Sequence, residues 1–133
     1  MRLVLDTNII VSAVVFGGKP REVLDLCIKG RHLLVTCAAI IAETESVLTR
    51  PKFGFPTEAV RMITAELLQI AELAEPKRIP SVIPSDPDDD MVLACAVTGK
   101  ADAIVSGDRH LTALGTHRKI PILDAAGFLT QWV

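Results

Sequence analysis

Leu3-Val4-Leu5-Asp6-Thr7-Asn8 sets an acid at the end of an aliphatic run. Arg2 to Leu5, rich in Leu and Val, reads as a first strand. Arg2 opens the run and Asp6 closes it. Ile9 to Val15 is apolar and helical and ends at Gly17-Gly18. Pro20 suits a first helical turn, Val23, Leu24, Cys27 and Ile28 share one face, and Gly30 is the stop. Leu33 to Thr36 is a second strand, followed by a helix from Ala38 to Arg50 that ends before Pro51. Thr57 caps a helix reaching Ala74, with Glu58 in its first turn and a stripe of Val60, Ile63, Leu67 and Ile70. Glu75-Pro76 ends it, and Pro80, Pro84 and Pro87 mark a loop. Met91 to Val97 is helical and closed by Gly99. Ala103 to Ser106 and Ile120 to Leu123 are the third and fourth strands, while Gly127 to Val133 fits no single element type. Strands alternating with helices predict a three-layer α/β/α fold around a central, mostly parallel sheet. The length of 133 residues predicts one domain, 1–133.

Composition narrows the class. Half the residues are hydrophobic and 4% are aromatic, so the core is aliphatic. No run of 18 apolar residues is present, which excludes a helical membrane span in this sequence. Ile9 to Phe16 lies too late and lacks a small-residue cleavage pattern, so no signal peptide is expected. Cys27, Cys37 and Cys95 are scattered, without zinc spacing, and read as buried small hydrophobes in a reducing cytoplasm. Net charge is −2, but its distribution is uneven. Asp6, Glu43, Asp86, Asp88, Asp89, Asp90 and Asp108 gather at the suspected site, and without those seven, nine acids face 14 bases. An acidic pocket in a mildly basic body suits a cation that meets a polyanionic phosphate chain.

The acids recur at one structural position. Asp6 follows Leu3-Val4-Leu5, and Asp108 follows Ala103-Ile104-Val105-Ser106-Gly107. Ligands of open α/β sheets bind beyond the carboxyl ends of the strands, where both acids fall. Asp86-Pro87-Asp88-Asp89-Asp90 leads into a helix, whose first turn favours anions. Carboxylates that converge cost free energy unless a cation neutralises them. Hard divalent cations take oxygen ligands, and Mg²⁺ keeps several waters, so no histidine or cysteine is required. Helical periodicity sets Glu43 at one edge of the stripe Ile40, Ile41, Thr44, Val47, Leu48 and Glu45 at the other, and does not choose between them. His32, His110 and His117 form no paired pattern. Arg50 and Lys52 suit either a polyanionic phosphate chain or plain solvent.

Four pieces in order now resemble the PIN domain family, specifically the VapC-type toxin components of bacterial and archaeal toxin–antitoxin modules. They are Leu3 to Ala13; Ala39-Ile40-Ile41-Ala42-Glu43 with Val47 to Phe53; Asp86 to Ala96; and Ile104-Val105-Ser106-Gly107-Asp108. The resemblance implies a Mg²⁺- or Mn²⁺-dependent endoribonuclease whose catalytic, metal-holding acids map to Asp6, Glu43, Asp90 and Asp108. Asp90 is chosen because it stands three residues before Leu93-Ala94. Asn8, Ser106, Asp88 and Asp89 are supporting positions, and Asp88 or Asp89, as neighbours, could share or take the role of Asp90. The resemblance also implies an RNA substrate, a small antitoxin partner and a homodimer.

Rival readings fare worse on the residues. A haloacid-dehalogenase-like phosphatase needs Asp-x-Asp after strand one, where this chain has Asp6-Thr7-Asn8. A phospho-accepting receiver needs an Asp after a central strand, where strand two ends Val35-Thr36-Cys37. A catalytically silent PIN scaffold that only binds RNA or a partner has no need of four acids.

Overall fold

In the computed structural model, which describes residues 1–77, 79, 82–83 and 87–132, the first strand, β1 (Arg2–Leu5), lies inside the sheet. Its Leu3, Val4 and Leu5 have no exposed surface, as a strand covered on both faces requires. The chain continues through α1 (Thr7–Val15), α2 (Gly18–Ile28), β2 (Leu33–Thr36), α3 (Ala38–Leu48), α4 (Thr57–Ile70), β3 (Ala71–Leu73) and α5 (Pro87–Thr98). It ends with β4 (Ala103–Val105), α6 (Arg109–Leu114), β5 (Thr116–His117), β6 (Ile120–Leu123) and α7 (Ala125–Gln131). The sheet has six strands in the order β3-β2-β1-β4-β6-β5. Every pairing is parallel except that of β5 with β6. This is the mostly parallel sheet that the strand–helix alternation predicts.

The winding fixes where a ligand can sit. From β1 the chain moves outward through β2 to β3, then returns to lay β4 along the other edge of β1. That reversal leaves a crevice beyond the carboxyl ends of β1 and β4. The two strands are locked in register, with Leu5 opposite Val105 and the Asp6 amide donating to the Val105 carbonyl at 3.1 Å. Helix α5 is pressed onto the sheet at its far end. A Cβ on Gly99 would run into Val35 of β2 and meet the Cys95 carbonyl at 3.0 Å, so only glycine permits this approach. Cys27, Cys37 and Cys95 are all buried. Among the described residues, no helix is long and apolar enough to cross a membrane.

Several local expectations are corrected. The helix expected to reach Ala74 stops at Ile70, and Ala71–Leu73 becomes an edge strand beside Leu34–Thr36. Ala, Glu and Leu all favour helix, but the open edge of β2 supplies backbone partners that outweigh a weak local preference. Pro56, not Thr57, occupies the cap position of α4, and no side chain bonds the free amides there. Helix α5 starts at Pro87 rather than near Met91, because proline is well placed in a first turn and the acids after it favour a helix N-terminus. Helices α6 and α7 and strand β5 are additions to the sequence reading. Pro80, Pro84 and Asp86 lie outside the described residues.

Candidate metal centre

Each acid arrives from a different element. Asp6 ends β1 and caps α1: its Oδ1 accepts from the Ile9 amide at 2.8 Å, which satisfies one of the free donors of the first turn. Asp108 follows β4 and caps α6, its Oδ1 accepting from the His110 amide at 2.7 Å. Ser106 joins the two. Its buried hydroxyl donates to Asp6 Oδ2 and accepts from the Asp108 amide at 2.9 Å. Capping and site-building are therefore not rival roles for Asp6. A carboxylate offers about four lone-pair directions, so acceptor capacity remains after both bonds.

These residues border a cleft of about 60 Å³, lined by Asp6, Thr7, Asn8, Glu43, Asp88, Asp89, Val92 and Asp108. The topological crevice of the sheet thus coincides with the convergence of acids. Glu43 reaches it from α3, whereas Glu45 is not among its walls. Asn8 stands exposed at the mouth, and Asp6 and Asp89 are buried in it. Burial pushes the Asp6 carboxyl up to about 6. The Ser106 hydroxyl and the Ile9 and Gly107 amides pull it down, and the Asp108 charge adds to the rise.

Asp90 does not join this group. Three consecutive residues on a helix point about 100° apart, so Asp88, Asp89 and Asp90 cannot share one face. Asp88, Asp89 and Val92 face the cleft. Asp90 faces the other way with Leu93, Ala94 and Val97, along a separate cavity of about 220 Å³ that His117 and Arg118 also line. Its Oδ1 accepts from the amides of Val82 at 2.9 Å and Ile83 at 2.7 Å. The spacing to Leu93-Ala94 leads to Asp90, whereas the acids of this helix that line the cleft are Asp88 and Asp89, of which Asp89 is buried.

Two further residues lie in or beside the cleft. Thr7 lines the cleft, and its buried Oγ1 has no hydrogen-bond partner among the described residues. A buried polar atom left in that state is costly, and a polar guest in the cleft would offset that cost. His110 lies beside the acids, with Nδ1 3.6 Å from Asp108 Oδ1 and 3.9 Å from Asp89 Oδ2. One donor atom from each of Asp89, Asp108 and His110 falls within 4.8 Å of the others. His110 carries no pattern of its own in the sequence, and only its place two residues past Asp108 sets it near the cleft. The donor set of carboxylates, hydroxyl and imidazole fits a divalent cation.

No curated protein matches the chain. Among solved structures, the chain is similar to VapBC2 from Rickettsia felis, determined bound to a DNA fragment from their promoter. The TM-score is 0.66 and the identity 15%, over 92% of this chain and 97% of that one. A likeness of that order carries the fold. The family model described as the PIN domain matches residues 2–110, which takes in β1, α3, α5, β4 and every acid of the cleft, and the chain accordingly belongs to the PIN domain family.

Proposed function

We propose that this protein is a divalent-metal-dependent endoribonuclease acting as the toxin of a toxin–antitoxin pair. The observation that carries the reading is the convergence of Asp6, Glu43, Asp89 and Asp108 from four elements on one cleft at the switch point of the sheet. Asp6, Asp89 and Asp108 would hold the ion, with Glu43 across the cleft and Asp88 at its rim. When bound, a Mg²⁺ or Mn²⁺ ion supplies charge neutralisation at a phosphate and acidifies a water for attack on phosphorus.

The chain's own residues prepare that chemistry. Ser106 fixes Asp6 and Asp108 relative to each other, so the site needs little rearrangement when substrate arrives. Burial of Asp6 makes its ionisation unfavourable in isolation, and a cation offsets that cost. Asn8, exposed at the mouth, is positioned to bond a phosphate or ribose. The likeness to VapBC2 supports a small antitoxin as partner, and a second copy of the chain in the cytoplasm completes the reading.

The test is cleavage of end-labelled single-stranded RNA by the purified protein. Cutting is expected with Mg²⁺ or Mn²⁺ and none in EDTA. Cutting that persists in chelator contradicts the metal; intact RNA under every metal condition contradicts the nuclease.

A further inference from the structure

The carboxylate account of the cleft leaves His110 unused. Its Nδ1 stands 3.6 Å from Asp108 Oδ1 and 3.9 Å from Asp89 Oδ2. Both separations exceed a hydrogen bond, so the three donor atoms border a gap instead of closing it. They are nevertheless close enough for one ion to meet all three. The arrangement is anchored at both ends. Asp89 is buried on α5, and the first turn of α6 ties the His110 amide to the Asp108 carboxylate at 2.7 Å. The buried Thr7 hydroxyl, lining the same cleft without a hydrogen-bond partner among the described residues, independently points to a polar guest there.

Building on the proposed metal centre, we infer that His110 Nδ1 is a nitrogen donor to the cation beside Asp89 and Asp108, and that the site therefore selects Mn²⁺ over Mg²⁺. Mg²⁺ is hard, demands near-ideal geometry and is served by carboxylates and water. Imidazole adds little for Mg²⁺ and more for first-row transition ions. An all-carboxylate cleft has no comparable preference. The ring is 58% exposed, so replacing it leaves the core untouched.

Two measurements test this on the full chain: Mn²⁺ and Mg²⁺ titrations by calorimetry, and pulsed electron paramagnetic resonance of the Mn²⁺-loaded protein. Wild type should bind Mn²⁺ more tightly than Mg²⁺ and show ¹⁴N coupling to the Mn²⁺ spin. His110→Asn and His110→Ala should abolish that coupling and weaken Mn²⁺ binding about tenfold or more, with Mg²⁺ affinity and melting temperature unchanged. Mn²⁺ binding without ¹⁴N coupling in wild type, or equal Mn²⁺ affinity in wild type and both variants, overturns the inference and leaves the carboxylate centre standing. Failure of both ions to bind wild type, or binding unchanged in Asp108→Asn, overturns the centre itself.

Discussion

At the scale of single residues, Asp6 is where stability and function pull against each other. Its carboxyl sits at about 6 against an ordinary 3.8, chiefly through burial. The folded chain therefore holds this proton more tightly than the unfolded chain. The sign follows: the ion-free protein keeps this part of its stability below about pH 4 and loses it as pH rises to about 6, on the order of 3 kcal/mol in all. Asp6→Asn should flatten that part of the profile and raise the melting temperature near neutral pH, while RNA cleavage is lost. Urea melts of both proteins in EDTA, from about pH 4 to about pH 7, provide the check; parallel profiles would show that Asp6 is not strained by burial. Asp6 and Asp108 were legible from sequence because each ends an apolar run, and Ser106 was legible from its place beside Asp108. Thr7 and His110 were not, since a threonine after a strand and a lone histidine acquire meaning only from what surrounds them.

Helix α5 shows the same limit one level up. The run Asp88-Asp89-Asp90 announces an acidic helix start, yet which acid faces the cleft depends on the rotation of the helix about its axis. That rotation is set by packing, including the tight approach of Gly99 to Val35 at its far end. Asp89→Ala should therefore cost more cleavage than the about 10–100-fold loss typical of outer-sphere changes, with little change in stability. Asp90→Ala should retain most activity but lose about 1–3 kcal/mol, because the Val82 and Ile83 amides lose their acceptor. Cleavage rates and urea midpoints for the two variants decide it, and an inactive but fully stable Asp90→Ala would return the ligand role to Asp90. The central strands were readable because continuous aliphatic runs have few other solutions. The short strands β3 and β5 were not, because their residues gain strand structure only from neighbours already in the sheet.

For the whole molecule, topology does the gathering. Asp6 and Asp108 are about a hundred residues apart in sequence, yet β1 and β4 are adjacent, and the crevice between their ends is where α3 and α5 add Glu43 and Asp89. Outside this cluster the charge balance tips basic, as a protein that grips a phosphate chain requires. We propose that this crevice holds a divalent ion, and anomalous diffraction from crystals grown with Mn²⁺ is the check. A peak is expected within coordination distance of Asp6, Asp89 and Asp108; a peak beside Asp90 and His117 instead, or none in the crevice, overturns the metal centre.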